Sequence, residues 1–246
     1  MSEDKRPIAV VTAFREEFEA VLSRVRGARF SGAHVEARIG AVEIALSMTG
    51  DGASNAGRAA ASLCERVRPA ALLGAGVAGA LSPDLTVGDL LASSRIRDSE
   101  GETPPPDAGL LAQALDVGGV TAGTLVTVER PMVSAAEKTA FAGSLDGSSP
   151  AAADMESAAW ARAAASRRVP YLILRSISDR AVEDLPEYLA RCVGKGGGIR
   201  RSSVVLHALA RPDTIPALLR MRNRVRACAE GLAAFLEAFL SAGPPS

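Results

Sequence analysis

The sequence predicts a three-layer α/β sandwich: a central mixed sheet with helices on both faces. Two observations carry this expectation. Short apolar runs alternate with stretches of helical periodicity along most of the chain, and such alternation builds a sheet covered by helices. Composition does not shift along the 246 residues, so a single domain, 1–246, is expected, with a basic amphipathic C-terminal region over about 191–240.

Each element follows from local pattern. "IAVVTA" (8–13) is rich in β-branched residues and leads into "FREEFEAVLSRV", where Phe14, Phe18, Val21, Leu22 and Val25 recur at helical spacing. "AHVEARIG" and "VEIALSMTG" read as two paired strands joined near Gly40. "DGASNAGRAAASLCERV" reads as a helix, with Asp51 or Ser54 available as N-cap. "AALLGAGVAGAL" is a buried strand running into glycines, and "GDLLAS" is another short strand. The prolines of "SEGETPPPD" (99–107) exclude a helix or a central strand there, so it is a surface loop. "AGTLVTV" is a strand, "DMESAAWARAAASRR" a helix, and "VPYLILRSISD" a fully buried strand ending in polar residues. Over 214–240 a last long helix aligns Leu218, Leu219, Val225, Leu232, Phe235, Leu236 and Phe239 on one face.

Composition narrows the function classes. With 48% hydrophobic and 23% charged residues the chain can bury a sizeable core and is not disordered. No segment approaches the roughly 20 uninterrupted apolar residues that span a bilayer, and the N-terminus has no signal-peptide pattern, so a cytoplasmic location is expected. Cys64, Cys192 and Cys228 are widely spaced and read as free thiols. Only 4% of residues are aromatic, which leaves few stacking platforms for single-stranded nucleic acid. Formal charge balances overall, but Arg191–Arg226 carries nine Lys/Arg against Asp213 alone. Such a run is ordinarily a solvated face; beside Ile199 and Val204–Leu206 it also suits peripheral contact with an anionic membrane surface. "GKGGG" (194–198) lacks phosphate-loop spacing. His34 and His207 read as structural.

Three acidic spots fall at strand ends or helix starts: Glu16/Glu17, Asp154/Glu156 and Asp179. Each has a plain reading. Acids in a helix's first turn complement its dipole, a pair on a helix face is solvated, and an aspartate after a strand caps a turn. Convergence would change that. Cleaving a purine N-glycosidic bond requires an acid for N7, a carboxylate to accept from two vicinal ribose hydroxyls, and, for hydrolysis, a base for water. Asp179, Glu156 and Glu17 supply such a set without metal or cofactor.

Four blocks in order carry a resemblance: "AVVTAFREEFEAV", "TGDGASNAGRAAASL", "LLGAGVAGALSPDLTVGDLL" and "AADMESAAWARAAASRRVPYLILRSISDRA". They resemble the purine/uridine nucleoside phosphorylase superfamily, especially its 5′-methylthioadenosine/S-adenosylhomocysteine nucleosidase branch. The resemblance implies that Glu17 is the water-activating base and Asp179, after Ser178, the group that protonates the base. It implies that Glu156 binds ribose, Met155 packs on the sugar, and the Gly79 backbone approaches the nucleoside. Met132 and Val133 match the base-contacting segment loosely. Asp154 is left as a helix-start acid or a support for its neighbours.

Two departures bear on function. After "GDLL" the nucleosidases carry an aromatic, histidine-bearing stretch, whereas this chain has "SRIRDSEGETPPPD". The phosphorylases place an arginine and a serine for phosphate where this chain has Gly74 and Val77. Further on, "LRSISDRAVEDLP" and "VVLHALARPDTIPALLRMRNRVRACAEGL" resemble the hopanoid-associated nucleoside phosphorylase-like proteins, implicated in removing adenine from adenosylhopane. The expected activity is hydrolysis of a 5′-substituted adenosine by a cofactor-free homodimer. The alternatives are phosphorolysis with inorganic phosphate as co-substrate (Arg15 or Arg58 reaching it), a general methylthioadenosine/adenosylhomocysteine nucleosidase, and a non-catalytic nucleoside-binding protein.

Overall fold

The structure, a computed structural model, describes residues 6–186 and 214–243. Cys192, "GKGGG", Arg200, Arg201 and His207 lie outside the described residues. The strands are β1 (Ile8–Thr12), β2 (Arg26–Ser31), β3 (His34–Ile39), β4 (Val42–Met48), β5 (Ala71–Ala80), β6 (Leu90–Asp98), β7 (Gly101–Glu102), β8 (Thr121–Thr127), β9 (Ala151–Asp154) and β10 (Tyr171–Asp179). The helices are α1 (Arg15–Leu22), α2 (Ala53–Val67), α3 (Ala108–Val117), α4 (Ala135–Ala142), α5 (Ser157–Ala165) and α6 (Ile215–Ser241).

The strands form one mixed sheet with helices on both faces, as the alternation of patterns predicts. Side chains of successive strand residues point to opposite faces. Ala9, Val11, Leu72 and Ile173 join the core under α2 and α5, with Trp160 and Leu63. Val10, Leu73, Leu172 and Leu174 join the core under α1, α3 and α6, with Leu110, Leu232 and Phe239. No described helix is long and apolar enough to cross a membrane.

The alternation did not foreshadow that half of the sheet closes on itself. β2, β3, β4 and β1 run out as an open flank, with β1 parallel to β4 and to β5. Beyond β5 the sheet continues through β10, β6, β8 and β9, and β9 returns to pair with the far end of β5. β5 therefore changes neighbour midway: β1 accompanies it as far as Gly74, and β9 joins it at Gly79. The gap between these partners is a switch point of the kind where open α/β sheets bind ligands.

Several local expectations need correction. Asp51 and Ser54 do not cap α2; Gly52 is its N-cap, and no side chain bonds there. Asp154 does not open a helix but ends β9, because the alanines before it pair with β5 and β8. "GDLLAS" is the start of a nine-residue strand. The 99–107 loop contains β7, paired with the end of β6. Leu219, expected on the apolar face of the last helix, is 52% exposed.

Candidate active site

The switch point is built around backbone groups that the sheet leaves unpaired. Past Gly74 the strand has lost β1, and the Val77 N–H is met instead by Glu17 Oε1 at 2.9 Å. Glu17 is the third residue of α1, and its other oxygen accepts from the N–H groups of Ala13 and Phe14, each at 2.9 Å. A glutamate at this position folding back on its own helix start satisfies donors the helix cannot. It is 2% exposed, so it is no solvated helix face; Glu16 instead sits at the cavity rim and approaches Arg222 at 3.7 Å. A carboxylate offers about four lone-pair sites. Three are taken, and the remaining one is on Oε1.

Glu156 comes from the turn between β9 and α5. It is the N-cap residue of α5 but makes no side-chain cap bond. Its Oε1 accepts from Gly52 N–H at 2.9 Å, and Oε2 lies 3.6 Å from Arg175 Nη2. Asp154 supplies the capping bonds, accepting from the N–H groups of Glu156 and Ser157 and from the Thr127 hydroxyl. It also accepts from the Ser157 hydroxyl and pairs with Arg175 Nε at 2.9 Å. Asp154 thus ends β9 while its side chain caps the start of α5 and supports its neighbours.

Arg175, which the sequence reading passed over, organises this cluster. It is 0% exposed, in the middle of β10, with its guanidinium 4.7 Å above the Trp160 ring. One buried cation thus faces three buried carboxylates. Burial pushes Glu156 up to about 8; Arg175 opposes the shift, and nearby Asp154 and Glu17 add to it. Burial also raises Glu17, against Arg175 and its three N–H donors. A side chain at Gly76 would put Cβ 2.1 Å from Arg175 Nη1 and 2.9 Å from Glu17 Oε1, so the strand must be bare there.

Asp179 ends β10, beside a register shift opposite Gly79. A Cβ on Gly79 would lie 2.9 Å from Asp179 Oδ2, which explains the second glycine. The Ser178 hydroxyl donates to Asp179 Oδ1 at 2.7 Å. Lys138 of α4, also unforeseen, donates to Oδ2 at 2.6 Å. Val77, tied to Glu17, and Gly79, beside Asp179, are two residues apart on β5, roughly 7 Å along a strand.

These groups surround a cavity of about 710 Å³, within the roughly 300–1,000 Å³ usual for small-molecule sites. Gly79, Met132, Met155, Glu156, Ser178 and Asp179 line it. Glu17 lies behind the wall formed by Phe14 and Val77, the residues whose N–H groups it holds. Val133 does not line the cavity; its carbonyl accepts from Leu185 N–H at 2.7 Å and anchors that side. Leu185 and, from α6, Leu218, Leu219, Met221 and Val225 add aliphatic side chains to the lining, among the charged Arg15, Glu16, Glu19, Arg222 and Arg224. Arg58 is exposed, bonded to Asn55 and outside the lining, whereas Arg15 lines the rim and pairs with Glu19.

A nucleoside-sized cavity at the switch point of a mixed sheet, with carboxylates converging from β1–α1, β9–α5 and β10, defines a class. The chain belongs to the phosphorylase superfamily, whose family model matches residues 7–191, and it is an enzyme of that superfamily. Among individual proteins it is 26% identical over 204 residues to the 5′-methylthioadenosine/S-adenosylhomocysteine nucleosidase of Maridesulfovibrio salexigens, covering 72% of this chain and 87% of that one. Its fold matches S-adenosylhomocysteine nucleosidase of Streptococcus pyogenes, solved with 5-methylthiotubericidin: TM-score 0.77 at 20% identity, covering 99% of this chain and 100% of that one. Futalosine hydrolase of Helicobacter pylori matches with a TM-score of 0.73 at 20% identity, over 98% and 100% of the two chains.

Proposed function

We propose that the enzyme hydrolyses the N-glycosidic bond of an adenosine whose 5′ substituent is large and apolar, releasing adenine, with adenosylhopane the leading substrate. The observation that carries this reading is the make-up of one cavity: the buried carboxylates Glu156 and Asp179 share it with Leu185 and the partly buried or exposed aliphatic side chains Leu218, Leu219, Met221 and Val225 of α6, set among the charged rim residues Arg15, Glu16, Glu19, Arg222 and Arg224.

At the inner end, Glu156 faces the ribose hydroxyls and Asp179 faces N7, with the sugar against Met155. Glu17 accepts a proton from water through its one open lone pair, and its burial-raised pKa brings it nearer the working range of a general base. The mouth formed by Leu185 and the first turns of α6 accepts the 5′ group. Hydrolysis is favoured over phosphorolysis because, among the described residues, each cation lining the cavity has an acidic partner: Arg15 with Glu19, Arg222 with Glu16, Arg224 with Glu183, Lys138 with Asp179. At Gly74, where the phosphorylases place an arginine, a Cβ would lie 2.5 Å from Ile173 and 2.7 Å from Trp160. A general methylthioadenosine/adenosylhomocysteine nucleosidase is the second reading, supported by the names of the relatives. Contact of the basic C-terminal region with an anionic membrane, and dimer formation, belong to the same proposal.

The test is kcat/KM for adenosylhopane, 5′-methylthioadenosine and adenosine. The proposed order places the first highest. A methylthioadenosine value equal to or above that for adenosylhopane selects the second reading, and adenine release from none of the three refutes both.

A further inference from the structure

Asp179 raises a chemical difficulty. A carboxylate can give a proton to N7 only if it holds one, and Asp179 is met at both oxygens by donors: Ser178 Oγ at 2.7 Å and Lys138 Nζ at 2.6 Å. As an ion pair with an ammonium group it accepts and has nothing to donate. Lys138 is also an unusual residue to bury: it is 1% exposed, on a short helix, and lines the cavity. Its two remaining protons are committed to the carbonyls of Arg180 at 2.9 Å and Glu183 at 3.0 Å. A lysine needed only to tie down that loop would not have to reach the one carboxylate facing the leaving base.

We propose that Lys138 is the positioning residue that supplies Asp179 with the proton passed to the purine. This rests on the reading of Asp179 given above. As the C1′–N9 bond breaks and its electron pair moves onto the purine, N7 takes a proton from Asp179 Oδ2. The Nζ–H bond to Oδ2 breaks in the same step and supplies the proton that Oδ2 hands on, so Asp179 begins and ends ionised, Lys138 becomes neutral and adenine carries the proton at N7. Water adds to C1′ and gives its proton to Glu17. That proton returns through solvent to Lys138 after adenine leaves, and the sum is one water consumed per bond cleaved. Lys138 touches the substrate only through Asp179. The neutral amine retains two N–H groups, enough for the two carbonyls that hold it.

The test separates proton supply from architecture by changing the leaving group. Lys138→Met is compared with wild type on an adenine nucleoside and on a 4-nitrophenyl riboside carrying the same 5′ group, whose phenolate departs without protonation. Loss of acid assistance is ~10²–10⁴-fold, so kcat on the nucleoside should fall by that factor with KM little changed, while the nitrophenyl riboside is cleaved within a few-fold of wild type. Equal losses on both substrates, or none on the nucleoside, overturn the proposal. Lys138→Gln, which keeps a donor for the loop carbonyls but has no ammonium proton, carries the same expectation if the methionine variant does not fold. Asp179→Asn is the control. If it releases adenine at the wild-type rate, the reading of Asp179 itself falls; if it is inactive on the nucleoside while Lys138→Met is not, only the role of Lys138 falls.

Discussion

The inner and outer ends of the cavity are built on opposite principles. At the inner end, Glu17, Asp154 and Glu156 are buried around Arg175, and nearly every oxygen has a named donor. At the outer end, Leu219 of α6 is exposed, and Arg222 approaches Glu16 at 3.7 Å. Fixed geometry with unfavourably buried charge suits bond cleavage, where positions must hold to fractions of an ångström. The aliphatic side chains of α6, set between the Arg15–Glu19 and Arg224–Glu183 pairs, suit a bulky group that binds by area rather than by hydrogen bonds. On the proposed function, the difference means that reaction and substrate choice are housed in separate parts of one pocket and should respond separately to mutation.

The largest effect on stability should come from the inner cation. Arg175→Met removes the cation that pairs with Asp154 and faces Glu156 and Glu17, and breaking a buried ion pair costs ~3–5 kcal/mol. Arg222→Gln, which removes an exposed pair, should cost less than ~1 kcal/mol. Denaturant midpoints of the two variants measure the contrast, and equal losses would dissolve it.

A smaller effect should follow from the mouth. Met221→Asn with Leu218→Asn should raise KM for a nucleoside with an apolar 5′ group about 10- to 100-fold, since each lost methylene-scale contact is worth ~1–3 kcal/mol. The same variant should leave kcat/KM for unsubstituted adenosine within a few-fold. A parallel loss on adenosine would mean that the mouth shapes the catalytic end as well.

The smallest effect is a pH slope. The folded enzyme holds the Glu156 proton up to about 8, whereas an unfolded chain releases it near ~4.3. Between those values the folded state binds more protons, so this group's contribution to stability falls as pH rises and is gone above the folded value. Glu17, raised in the same direction, adds to the slope. Glu156→Gln should flatten the fall in melting temperature between pH 5 and pH 8, taken as rough bounds. An unchanged slope would show that Glu156 is ionised in the folded state.

Strands with β-branched apolar runs and helices with clear periodicity were legible in the sequence, among them β1, α1, the β3–β4 hairpin, β5, β8, β10 and α6. What escaped was structure imposed by partners. "AAAD" of β9 has helix-favouring composition and becomes a strand because β5 and β8 flank it. β2 is exposed along its whole length and shows no alternation of burial. α3 and α4 follow a proline loop and a polar turn and escaped the reading. In the site, the positions of Glu156 and Asp179 were readable because their motifs are dense, and Glu17 because of its order before them. Arg175 had a signal that went unused: a charge inside "YLILRSISD" demands buried partners of opposite sign. Lys138 had none, since nothing in "AAEKTAFA" marks the fourth residue of a short helix as the neighbour of an aspartate 41 positions on.

The central claim is that the inner end cleaves an adenine nucleoside with water. The most direct measurement is product mass after turnover of a 5′-substituted adenosine in ¹⁸O-water, with and without inorganic phosphate. The account predicts free adenine and a ribosyl product carrying ¹⁸O at C1′, at the same rate in both. A phosphate-dependent rate yielding the ribose 1-phosphate, with no label incorporated, would contradict it and make rim residue Arg15 the first cation to remove.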